Sequence, residues 1–89
     1  MRLAWAPEAN RDLRNCERRV GRKTVRDIFR HANILKSHPR IGRIGKVEDT
    51  REWVMNPLPY ILIYQIIEKT VFVLRVIHQR QDWPGEGIE

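Results

Sequence analysis

Cysteine is nearly absent from the 89 residues: Cys16 stands alone, which excludes an internal disulfide and a cysteine-rich zinc site. Packing must therefore hold the fold. No run approaches the roughly 18 uninterrupted apolar residues of a membrane helix, and Met1 to Ala9 lack the charged-then-apolar pattern of a secretory signal. The expected location is cytoplasmic, with no membrane partner. The sequence also lacks a GxxxxGK phosphate loop, a dinucleotide glycine fingerprint, an HExxH pair and any acid cluster with metal spacing, so neither a cofactor nor a metal is expected. Metal-free chemistry or pure binding remains. The length excludes a two-domain organisation and predicts one domain over residues 1–89, small enough to bury only about 60% of its unfolded surface.

Acidic residues are in deficit, 11 against 17 Lys and Arg, which leaves a net charge of +6. The imbalance is local: residues 1–51 carry 14 basic and 6 acidic side chains, net +8, whereas residues 52–89 carry 3 and 5, net −2. The basic field belongs to the N-terminal half. Such a field draws in polyanions, whether nucleic acid, a ribosome or an acidic protein, and speeds their encounter without specifying them. The plain alternative is a solvated face that serves solubility.

Periodicity organises the chain. Arg2 to Trp5 reads as a short strand, stopped at Ala6-Pro7-Glu8, where proline suits a first helical turn and glutamate its N-terminus. Ala9, Leu13, Cys16 and Val20 then make one apolar stripe ending at Gly21, and Val25, Ile28, Phe29, Ala32 and Leu35 make a second, closed by Ser37-His38-Pro39. These are two basic amphipathic helices in a hairpin. Arg40 to Asp49, with two glycines and no convincing period, reads as a loop. Arg51 to Met55 reads as a strand, broken by Asn56-Pro57-Leu58-Pro59. Tyr60 to Ile67 and Val71 to His78, joined by a turn at Glu68-Lys69-Thr70, are almost wholly apolar strands that need neighbours on both edges.

An apolar final strand cannot sit at an exposed edge, so the first strand is expected to pair with it. The predicted fold is α+β, β-α-α-β-β-β, with the helical hairpin on one face of a four-stranded, mainly antiparallel sheet of order 1-4-3-2.

One segment concentrates polar chemistry at the end of a greasy strand: Arg75-Val-Ile-His78-Gln-Arg80-Gln-Asp-Trp83-Pro84. Histidine suits general acid or base catalysis, and arginines can neutralise a phosphate whose charge rises in a transition state. RNA cleavage through the 2′-hydroxyl requires those groups and no metal. Strict alternation places His78 and Arg80 on one face and Arg75 on the other, so the three converge only if the strand twists or bulges. Equally, His78 can cap a strand end and Arg75 can satisfy a carboxylate such as Glu52. His31 and His38 read as surface or boundary residues, Trp5, Trp53 and Trp83 as core or interface anchors, and Cys16 as a small core residue. Arg40, Arg43, Lys46 and Arg51 form the best loop-borne basic patch.

Five pieces in fixed order then carry a resemblance: Leu3-Ala-Trp-Ala-Pro-Glu-Ala-Asn-Arg-Asp-Leu13, His38-Pro-Arg-Ile-Gly-Arg-Ile-Gly45, Asp49-Thr-Arg-Glu52, Pro59-Tyr-Ile-Leu-Ile-Tyr64 and Leu74-Arg-Val-Ile-His-Gln-Arg-Gln-Asp-Trp-Pro84. Together they resemble the RelE/ParE superfamily of bacterial toxins. The resemblance implies the toxin of a type II toxin-antitoxin pair, with a cognate acidic antitoxin as partner and a homodimer or a toxin-antitoxin hetero-oligomer as its assembly. RelE-like members cut messenger RNA on the ribosome, whereas ParE-like members poison DNA gyrase without a hydrolytic centre. If the chain is a ribonuclease, the resemblance assigns His78, Arg51, Arg75 and Arg80 to catalysis; Arg40, Arg43, Lys46 and Trp83 are the expected target or nucleic-acid contacts. The terminal Arg-Val-Ile-His-Gln pattern is closer to the ParE branch, and Lys46 alone stands where a lysine-rich cluster is usual, so gyrase poisoning is the expectation. One departure stands out: only 25 residues separate Leu13 from Pro39, a hairpin shorter than the family's by about two to three turns. A basic, non-enzymatic nucleic-acid-binding module is the alternative from another class.

Overall fold

A computed structural model describes residues 1–81 and 83; Asp82 and Pro84 of the C-terminal motif lie outside the described residues. The elements run β1 (Arg2–Trp5), α1 (Pro7–Val20), α2 (Arg22–Ser37), β2 (Arg43–Ile44), β3 (Arg51–Val54), β4 (Tyr60–Ile67) and β5 (Thr70–His78). They form one sheet of order β1-β5-β4-β3-β2. β1 runs parallel to β5 and every other pairing is antiparallel. The four expected strands are present in the expected order, but among the described residues the sheet has five. The addition, β2, pairs Arg43 with Glu52 and Ile44 with Arg51 at the far edge of a segment expected to be a loop. Two residues cannot establish a period, so no alternation betrays such a strand.

Pro7 sits in the first turn of α1 with Glu8 beside it, and Arg18 and Arg19 occupy its last turn, each sign matching its end of the helix dipole. Gly21, at φ 94°, is the whole connection between the helices: its N–H donates to the Glu17 carbonyl at 2.8 Å while its own position caps α2. The apolar stripes bury Ala9, Leu13 and Cys16 from α1 and Ile28, Ala32 and Leu35 from α2 against Leu62, Tyr64, Val71, Val73 and Val76 of the sheet. A second, smaller cluster of Ile61, Ile63 and Ile77 occupies the opposite face, with Val54 and Trp83 packed on it.

One irregularity positions the end of β5. Ile63 faces Arg75 and Tyr64 faces Val73, which leaves Leu74 as an extra residue and shifts the alternation. Val71 and Val73 before it and Val76 after it therefore all reach the helix-side core, while Ile77 belongs to the opposite cluster.

Candidate functional site

β1 stops where Trp5 pairs with Val73, and the Ala6 N–H takes the Val73 carbonyl at 2.9 Å as the chain turns into α1. Beyond that point no strand among the described residues lies beside the edge of β5, and α1 supplies the missing acceptor. Asp12 Oδ2 accepts from the Val76 N–H at 2.9 Å and from Arg75 Nε at 2.7 Å, and its Oδ1 accepts from Arg75 Nη2 at 3.1 Å. This carboxylate, not Glu52, is the partner of Arg75. The hydrogen bonds from Arg75 to Asp12 hold the guanidinium's pKa above its ordinary value against the opposing pull of burial. Arg75 also lies 5.7 Å from the centre of the Trp83 ring, within cation-π range.

His78 lies on the other side of the strand from Arg75, because the bulge precedes both residues and cannot bring them together. Its ring meets Tyr60 edge to face with centroids 5.4 Å apart. Its Nδ1 accepts from the Arg80 N–H at 3.1 Å, and its own N–H donates to Gln81 Oε1 at 2.8 Å. Among the described residues Nε2 has no hydrogen-bond partner, so it is the ring nitrogen left for other work. Burial, and after it the Cys16 thiol, push the Tyr60 hydroxyl above its ordinary pKa of 10.0. Arg80 is exposed.

The basic segment between α2 and β3 is a built arch. Tyr64, wholly buried, donates its hydroxyl to the Pro39 carbonyl at 2.6 Å and accepts from the Gly42 N–H at 3.0 Å. Arg51 Nη1 donates to the carbonyls of Arg40 at 3.2 Å and Gly42 at 2.8 Å. Glu52, only 6% exposed, accepts from Arg43 Nε at 3.0 Å and Nη2 at 2.9 Å, and from the Lys46 N–H at 3.3 Å. Gly42 is required by space: a Cβ there would sit 2.7 Å from the Tyr64 hydroxyl and 2.9 Å from the Glu52 carbonyl. Of the four cations in this patch, Arg51 and Arg43 hold the arch together. The side chains of Arg40 and Lys46 make no hydrogen bond or ion pair among the described residues, and both are exposed.

The candidate residues thus fall into two separate groups, one at the end of β5 and one on the arch. Asp12 and Tyr64 organise them, and neither was marked by sequence. Asp12 is one polar position in a helix rich in polar positions, although a lone cation inside a greasy strand does announce that some carboxylate must meet it.

A family model described as "ParE toxin of type II toxin-antitoxin system, parDE" matches residues 3–83. The Sinorhizobium fredii protein Y4kP, described as a candidate toxin, is 37% identical over 62 residues, which cover 70% of this chain and 64% of that protein. The chain therefore spans less than two thirds of that relative's length. Among solved structures, a chain of the chromosomal ParDE TA system from P. aeruginosa superposes with a TM-score of 0.74 at 23% identity, covering 88% of this chain and 95% of that one. A chain of the intact E. coli RelBE toxin-antitoxin complex gives 0.68 at 22% identity, with coverages of 84% and 92%. At those identities the likeness is one of fold, and it extends to systems of both types.

Proposed function

Since the chain belongs to the ParE toxin family of type II toxin-antitoxin systems, we propose that it arrests growth by poisoning DNA gyrase, and that a cognate acidic antitoxin neutralises it. The fold is common to both superfamily branches, so the choice rests on the site. One observation carries it: two of the three arginines suited to RNA cleavage are already committed within the protein, and the histidine has one of its two ring nitrogens engaged. Arg51 is tied to loop carbonyls, Arg75 to Asp12, and the Nδ1 of His78 to the Arg80 backbone. Catalysis of phosphoryl transfer needs cations aimed at the developing charge, and of these arginines Arg80 is the one whose side chain has no partner among the described residues. A toxin that acts by binding has no such requirement. The exposed Arg40 and Lys46, held out by a rigid arch, are the contacts that such a mode of action would use. The net charge of +6 favours the encounter with an acidic antitoxin.

RelE-like cleavage of messenger RNA is the second reading, favoured by the uncommitted Nε2 of His78 beside Tyr60 and Arg80. Two assays separate the readings. Purified protein added to gyrase and supercoiled plasmid is expected to accumulate cleaved DNA, and to do so equally well as His78→Ala. Truncated messenger RNA on translating ribosomes, lost in His78→Ala, with gyrase unaffected, would reverse the assignment. Induced expression of the folded chain without effect on growth would dismiss both.

A further inference from the structure

The outer edge of the sheet carries an apolar patch to which these roles give no part, although two cations that border it, Arg40 and Lys46, are also the target contacts proposed above. Gly45 donates to the Thr50 carbonyl at 2.8 Å, and the register continues through Ile44 opposite Arg51 to Arg43 opposite Glu52. In an antiparallel ladder, pairs that exchange hydrogen bonds alternate with pairs that do not. The pairs at Gly45 and Arg43 therefore face inward, and the N–H and C=O of Ile44 both point away from the sheet. Ile44 is 73% exposed, and Ile41 and Ile67 are exposed at 45% and 48%. Beside Ile44 opens a groove of about 730 Å³, lined by Ile66 and Ile67, by Arg40 and Arg51, and by Asp49 and Glu68.

The charges of this groove decide its occupant. A uniformly acidic segment would gain Arg40 and Arg51 but would bury its carboxylates against Asp49 and Glu68. A surface with two groups of each sign matches itself under two-fold rotation, where each cation can meet an acid of the other copy. The main chain agrees. Antiparallel pairing of two β2 strands about Ile44 lets each Ile44 N–H donate to the other's carbonyl. It also sets Arg43 opposite Gly45 and Lys46 opposite Gly42, so no two cations face each other directly and the small partners admit close approach.

We infer that two copies of this chain associate edge to edge through β2, centred on Ile44, to form one continuous ten-stranded sheet. The inference is independent of whether gyrase or the ribosome is the target. The net charge of each copy opposes the contact, and salt screens that repulsion, so association is expected to strengthen as ionic strength rises from low values.

Sedimentation equilibrium of the purified chain over a range of concentrations tests this. The expected result is a monomer-dimer equilibrium that Ile44→Asp weakens by about tenfold or more, with an unchanged circular dichroism spectrum because the site is exposed. Arg40→Glu and Glu68→Arg are each expected to weaken dimers, and the double variant to recover them, because the swapped charges again match across the axis. A folded chain that stays monomeric at every concentration would overturn the inference, and so would a dimer indifferent to Ile44→Asp. A monomer whose groove binds an acidic peptide, with loss in Ile44→Asp, would also overturn it and assign the edge to a different protein.

Discussion

Removing the Asp12 carboxylate tests the strand-end architecture most directly. It accepts three hydrogen bonds, two of them from a guanidinium, and its side chain is only 13% exposed against 29% for Arg75. Asp12→Ala strands the Val76 N–H and leaves a largely covered cation without its counter-charge. Hydrogen bonds to charged groups contribute about 1.5–3 kcal/mol each in favourable settings, and solvent access to Arg75 reduces that sum. A loss of about 2–3 kcal/mol is expected. For a chain of this size 1 kcal/mol moves Tm by about 4–8 °C, so the variant should melt roughly 10–20 °C lower by calorimetry or circular dichroism. Asp12→Asn keeps one acceptor oxygen and should lose less. The cost should also depend on Arg75: in Arg75→Met, Asp12→Ala is expected to cost at least about 1 kcal/mol less than in the parent chain. A loss below about 0.5 kcal/mol in Asp12→Ala, or identical losses in the two backgrounds, would refute the claim that this carboxylate fixes Arg75.

The arch makes further predictions. Gly42→Ala forces a methyl group against the Tyr64 hydroxyl and the Glu52 carbonyl and should cost about 1–3 kcal/mol, read as a lower urea midpoint with an unchanged slope. Tyr64→Phe removes the hydroxyl that joins Pro39 to Gly42 and should cost about 1–3 kcal/mol, with faster amide exchange at Gly42. Burial raises the pKa of the Tyr64 hydroxyl above 10.0. The unfolded chain therefore releases that proton first, and the corresponding stability is complete below pH 10 and declines as pH climbs through the folded value. Urea titrations of the parent chain should show that alkaline decline, and in Tyr64→Phe it should be shallower.

Much of this architecture was legible because it rests on period and punctuation. The stripes ending at Gly21 and Pro39 gave both helices, and the apolar runs of β4 and β5 required interior places in the sheet, which fixed the order of four strands. β2 was hidden because it depends on side chains that reach in from other elements: Tyr64, Arg51 and Glu52 bind the loop into place, and those contacts leave no local pattern. The site was legible in composition and not in geometry. Arg75 and His78 were correctly placed on opposite faces by alternation, yet the acid that claims Arg75 lies 63 residues away along the chain. Arg40, Arg43, Lys46 and Arg51 look equivalent in sequence, and only the arch divides them into two that build and two that project.

Leu74, the residue with no counterpart on β4, sets the parity of everything that follows it. Excising it would bring Val73 and Arg75 into succession with their partners on β4 unchanged, so Arg75 would still lie opposite Ile63 and Val76 would still reach the helix-side core. The extra residue thus lets Val73 and Arg75, two apart in sequence, stand on opposite faces of one strand, so a count of alternate positions from Val71 misplaces everything from Arg75 onward.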